Sequence, residues 1–159
     1  MTLNEQLQQA LIAMPQFSSG EQSIDVSDGG QHLRCQLTAL DSLACSFTRL
    51  ALRAGILSNR STDELKRIAE QLSAKLTYLL EPSSPIETDA QGCVVQMRSN
   101  PPQKEADRTS YYELLVARTG ELSLVRYSRA VGQPRESIPA HVTREVLCRL
   151  ASDLSAAAT

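Results

Sequence analysis

The stretch that decides the fold is Tyr111-Tyr112-Glu113-Leu114-Leu115-Val116-Ala117-Arg118-Thr119-Gly120-Glu121-Leu122-Ser123-Leu124-Val125-Arg126-Tyr127-Ser128-Arg129. Two apolar-rich runs flank Thr119-Gly120, and a two-residue turn there predicts an antiparallel hairpin. In that register Arg118 faces Glu121, Leu115 faces Leu124, Glu113 faces Arg126 and Tyr112 faces Tyr127. Each such cross-strand pair adds about 0.2–1 kcal/mol, and a slip of one residue loses all of them together. The reading also makes the hairpin apolar on both sides, with Leu114, Val116, Val125 and Tyr112 on one face and Leu115, Ala117, Leu122 and Leu124 on the other.

Beyond the hairpin, three segments have helical periodicity. Thr2 and Glu5 stand at capping-box spacing before the stripe Leu3, Leu7, Ala10, Leu11 and Met14, which Pro15 ends. Ser61 and Glu64 precede Leu65, Ile68, Ala69, Leu72, Leu76, Leu79 and Leu80, and Glu81-Pro82 stops that helix. A third helix is predicted from about Pro139 to Leu154, with Val142, Val146, Leu147, Leu150 and Leu154 on one face and a frayed tail over 155–159.

Between the helices the apolar period is two. Leu33, Cys35, Leu37 and Ala39 alternate with His32, Arg34, Gln36 and Thr38, as on a half-buried strand. Leu43 to Leu52 fits a strand returning through Leu40-Asp41-Ser42 or a helix capped by Asp41, and the strand is preferred. Ile24–Val26 begins the sheet before an Asp28-Gly29-Gly30 turn. Pro85 to Thr88 and Cys93 to Ser99 read as short strands around Asp89-Ala90-Gln91-Gly92, and Asn100 to Arg108, with Pro101-Pro102, as a solvated loop. The expected architecture is a single α+β domain over 1–159, an antiparallel sheet of about five to six strands with three helices mainly on one face.

The chain has 159 residues, 42% of them hydrophobic and 21% charged, enough for a core and far from a disordered composition. Its net charge is −2. Residues 1–90 hold 7 Lys and Arg against 11 Asp and Glu, and residues 91–159 hold 9 against 7, so there is no basic concentration of the kind phosphate-backbone binding requires. No nucleic-acid partner is expected. The first residues lack a basic segment followed by an apolar run, and no apolar stretch reaches membrane-spanning length. A cytoplasmic protein without a membrane partner is expected, its Cys35, Cys45, Cys93 and Cys148 being buried thiols.

Motifs for phosphate cradling, dinucleotide binding, zinc proteolysis and the serine nucleophile elbow do not occur. His32 and Cys35 sit at odd spacing in a strand and point to opposite faces, which separates thiol from base. Asp25-Val26-Ser27-Asp28-Gly29 has part of a calcium-loop spacing without its remaining ligands and reads as a turn. No catalytic residue, metal or cofactor is expected.

What remains is surface. If helices cover one face of the hairpin, the second apolar face is buried by another helix, by a second subunit or by a bound partner, and a partner or subunit is preferred. Leu122, Leu124 and Leu115 are therefore the candidate partner-binding residues, with Arg126 and Arg129 steering charge at the rim. Arg126, Arg129 and Arg135 form the one local basic concentration, Arg126 being balanced by Glu113. By element order, from Leu3 to Leu154, the chain resembles the type III secretion chaperones, and that resemblance implies a homodimer binding an extended polypeptide client. The expected function is a non-enzymatic, chaperone- or adaptor-like domain that binds a polypeptide through a sheet face or edge. The alternative is a small-molecule site or enzyme with a pocket between the sheet and the central helix, served by the 100–108 loop. A third possibility has Tyr111, Tyr112 and Tyr127 stacking RNA bases.

Overall fold

A computed structural model describes residues 1–79, 83–89, 94–99, 103–105 and 107–159. The hairpin is present, but its register differs by one residue from the expected one. β7 (Arg108–Ala117) and β8 (Glu121–Ala130) pair Ala117 with Glu121, Leu114 with Leu124, Tyr112 with Arg126 and Tyr111 with Tyr127. The cause is the loop, which has three residues, Arg118-Thr119-Gly120. Gly120 has φ +103° and its N–H donates to the Ala117 carbonyl at 3.0 Å, the geometry of a hairpin closed by a glycine bulge. Its carbonyl accepts from the Ala54 N–H at 2.7 Å. A side chain there would meet the Ala54 oxygen at 3.1 Å.

The shift re-sorts the faces. Leu122 opposes Val116 and Leu124 opposes Leu114, while Leu115 opposes Ser123 and Glu113 opposes Val125. All four residues Leu114, Val116, Leu122 and Leu124 now lie on one face, which is the core.

Around this hairpin stand β1 (Gln22–Asp28), β2 (Gln31–Leu40), β3 (Ala44–Ala54), β4 (Ser83–Asp89), β5 (Val94–Ser99), β6 (Gln103–Glu105), β9 (Glu136–Ile138) and β10 (Ala140–Thr143). They form one antiparallel sheet in the order β1-β2-β3-β8-β7-β5-β4, with β6 beside β7, β9 beside β8 and β10 beside β3. Among the described residues seven strands stand in the main order with three short ones beside them, an antiparallel sheet with three helices packed on it, as the α+β expectation has it. The strand reading of 43–52 holds, with Asp41 turning the chain: its Oδ1 accepts from the Leu43 and Ala44 N–H groups at 2.8 and 2.7 Å. Strand β6 lies inside the expected 100–108 loop, whose Pro101-Pro102 falls outside the described residues, as do Cys93 and the expected helix stop at Glu81-Pro82.

Two apolar rows cross the sheet from β1 to β5. One runs Ile24, Cys35, Leu50, Leu124, Leu114, Met97 and the other Val26, Leu33, Leu52, Leu122, Val116, Val95. Every member is buried. Each fully buried large apolar side chain stabilises by about 1.5–3 kcal/mol, so these rows set the register of the whole sheet.

The helices pack on that face. In α1 (Leu3–Ala13) the capping box forms as expected, with Glu5 N–H donating to Thr2 Oγ1 and Thr2 N–H to Glu5 Oε2. α1 rests on β1 and on α3 (Arg144–Ala157), while α2 (Thr62–Lys75) lies on β4, β5 and β7. Ser61 caps α2, which buries Leu65, Ala69 and Leu72 and ends in a 3₁₀ turn over Leu76–Leu79.

The third helix starts later than its sequence pattern suggests, because 140–143 is taken by β10 and Thr143 is the cap, accepting from the Val146 N–H. It also runs further. The expected frayed tail is helical through Ala157, and Ala158 is 1% exposed; small, helix-favouring alanines continue the stripe of Ala151 and Leu154 into the core. Between β3 and β8, residues 136–143 make a V. β9 descends along Ser128 to Arg126, the chain reverses at Pro139, and β10 returns along Phe47 to Ala44.

Candidate functional site

The face of the sheet opposite the helices is the candidate site, because side chains alternate across a strand and every second residue of these strands projects there. Read across the strands, one row is Asp25, Arg34, Ala51, Ser123, Leu115, Gln96 and a second is Ser27, His32, Arg53, Glu121, Ala117. The face is polar and carries arginine, the reverse of the second apolar surface expected from sequence.

Near β1 and β2 the groups are linked by charge. Arg34 donates from Nε and Nη2 to Asp25 at 2.8 and 3.2 Å, and this bond, reinforced by His32, holds the Asp25 carboxyl below its ordinary pKa. His32 bridges Asp25 Oδ1 at 3.2 Å and Ser27 Oγ at 2.6 Å. That Ser-His-Asp order is not assembled for acyl transfer. Asp25 Oδ1 is shared between Arg34 and His32, and the Ser27 N–H, a donor an oxyanion would need, points at Gln6 Oε1. Gln6 also donates to the Ser27 carbonyl at 2.7 Å, so its amide occupies this part of the β1 edge as a neighbouring strand would.

Toward the sheet centre, Arg49 and Arg53 on β3 share Glu121 of β8. With His32, Arg34 and Ala51 they line a concavity of about 300 Å³. Toward β5 and β7, Glu113 is 3% exposed and accepts from Arg135 and, at 2.6 Å, from Gln96. The Arg135 guanidinium lies 3.9 Å from the Tyr127 ring centre and that of Arg98 4.4 Å from Tyr111, and the two rings are 6.0 Å apart. These are cation–π stacks on an aromatic pair.

The residues expected to bind a partner separate accordingly. Leu122 and Leu124 are 0% and 1% exposed, in the core under the helices; the three-residue loop moves them there. Leu115 does lie on the open face, half-buried beside Ser123. Arg126 does not balance Glu113. It stacks 4.6 Å from the Tyr112 ring on the helix-side face, and Arg135 takes the carboxylate. Arg129 is exposed and donates to the Gln133 carbonyl at 2.9 Å. The three tyrosines proposed as a stacking platform are likewise split, Tyr112 lying on the face opposite Tyr111 and Tyr127.

Arg135 belongs to the basic concentration read from the sequence, whereas Arg49 and Arg53 lie far from it. Their signal is Arg49-Leu50-Ala51-Leu52-Arg53, a period-two pattern whose charged positions project to one side. The thiols of Cys35, Cys45 and Cys148 are buried and unpaired; burial raises all three, that of Cys45 to about 12, which leaves them protonated and unreactive at neutral pH.

The concavity on α2, about 610 Å³, is walled by α2 itself and the end of α3 rather than by the sheet. Among the described residues no three His, Cys, Asp or Glu side chains converge as a metal site would require, and no helix is long and apolar enough to cross a membrane. No family model, curated protein or solved structure matches the chain.

Proposed function

We propose that the chain is a non-enzymatic binding domain that takes an acidic, extended segment of another polypeptide across its open sheet face. One observation carries this reading: in a chain of net charge −2, Arg34, Arg49, Arg53, Arg98 and Arg135 share the face opposite the described helices with Tyr111 and Tyr127. Arginine and tyrosine are the residues that concentrate binding energy at protein interfaces, and the cationic surplus selects an anionic partner.

The face is favoured over the edge because Gln6 already engages the β1 backbone at Ser27. A chaperone-like role and a homodimer, both suggested by element order, stay attached to this proposal. Leu122 and Leu124 offer a second subunit no surface, since the helices cover them. Three unpaired thiols fit a reducing, cytoplasmic setting.

The test is a titration of the ¹⁵N-labelled chain with an extended glutamate-rich peptide and its glutamine counterpart. Saturable shifts on β2, β3, β5, β7 and β8, weakened by salt and absent with glutamine, would support the reading. Absence of binding by the glutamate peptide, or shifts confined to the helices, would overturn it.

A further inference from the structure

Ala51 is the low point of the open face. Its lateral neighbours are Arg34 on β2 and Ser123 on β8; along β3 it has Arg49 and Arg53, and on the diagonals His32 and Glu121. A methyl group thus forms a floor, 5% exposed, among guanidiniums that rise on three sides. The resulting concavity has a volume of about 300 Å³.

Its hydrogen-bonding capacity is unbalanced. Three guanidiniums carry about fifteen N–H donors, and Asp25 and Glu121 engage four of them. The carboxylates also orient the walls, since Asp25 holds Arg34 by two bonds and Glu121 lies between Arg49 and Arg53. The arginines and carboxylates around the floor sum to one positive charge.

We propose that this depression holds a phosphoryl dianion borne on a serine or threonine of the bound segment. The inference deepens the acidic-segment reading and rests on it. A carboxylate entering the pit brings one charge and two oxygens, and meets only part of the remaining N–H donors. A phosphoryl group brings a charge of about −1.5 to −2 and three acceptor oxygens, which guanidiniums converging from three directions can each meet with paired N–H groups.

The experiment uses the full chain with three probes: a glutamate-rich peptide containing one phosphoserine, the same peptide with serine, and inorganic phosphate. The phosphopeptide is expected to bind at least about tenfold more tightly than the serine peptide, and phosphate alone to give saturable shifts centred on Ala51, unlike chloride at equal ionic strength. Arg49→Gln and Arg53→Gln together should abolish the difference between the peptides. Should that pair loosen the fold, Arg34→Gln, on the exposed wall, provides the same readout. Equal affinity for the two peptides with no response to phosphate overturns the phosphoryl site and leaves the acidic-segment reading standing. Saturation by phosphate with neither peptide binding keeps the pit as a phosphate site and overturns the segment reading.

Discussion

The two faces of the β7–β8 hairpin are made of residues one step apart in sequence, yet they are held by different forces. On the helix side Leu114, Val116, Leu122 and Leu124 meet other apolar groups and are shielded from water. On the open side Glu113, Leu115, Glu121 and Ser123 stand among arginines from β2, β3, β5 and the segment before β9. The first face depends on volume and shape, the second on charge and hydrogen bonding. Register, rather than composition, assigns a side chain its role here: each leucine of the pair Leu114-Leu115 has the same chemistry and a different destination.

The largest effect should come from the helix side. Leu124→Ala opens a cavity in the row that links Leu50 to Leu114, and is expected to cost about 2–5 kcal/mol in denaturant unfolding. Leu115→Ala, one face over, should cost less than about 1.5 kcal/mol, because its side chain is only half removed from water. Equal losses would mean that the faces are not distinct in the way the register requires.

Glu113→Ala tests whether the open face contributes fold stability as well as binding capacity. The carboxylate is buried, and its loss leaves Gln96 and Arg135 without their acceptor; the expected cost is about 1–3 kcal/mol. Glu113→Gln should recover part of it by keeping an oxygen for Arg135. Gly120→Ala then probes the device that sets the register. The positive φ and the approach to the Ala54 oxygen predict a loss of about 1–2 kcal/mol. A substitution that lengthened the ladder by restoring a two-residue loop would move Leu115 opposite Leu124, visible as a change in cross-strand NOEs.

The contrast between faces also marks what could be read from the sequence. The helix stripes, the strand periods and the α+β class depend on neighbours within one element, so Leu3, Leu7 and Leu11, or Leu65, Ala69 and Leu72, announce themselves. The hairpin register is ambiguous in sequence because Thr119-Gly120 suits a two-residue turn as well as a bulged three-residue one; the contact that favours the latter is with Ala54, far along the chain. Strand β10 was hidden for a similar reason. Val142 and Val146 fit a helical stripe, but Ala140 to Thr143 find backbone partners on β3. The arginine site was the least legible. Arg49, Ala51 and Arg53 alternate plainly, yet the depression exists only when β2 and β8 flank β3, and Glu121 lies 72 residues from Arg49.

The smallest effect separates the two faces most cleanly, since it concerns solvent conditions rather than atoms removed. Asp25 has its carboxyl held below the ordinary range by its bonds to Arg34 and His32. A group whose folded pKa is depressed stabilises the fold above its unfolded pKa, near pH 4, and loses that contribution as pH falls through the folded value. The stability gap between the natural chain and Asp25→Asn should therefore be present at neutral pH, narrow below about pH 4, and shrink with added salt, because the pair is exposed and screened. The gap for Leu124→Ala has no charged group in it and should be unchanged by salt. A deficit for Asp25→Asn that ignored both pH and salt would assign Asp25 a packing role, and the open face would then be held by the same kind of force as the core.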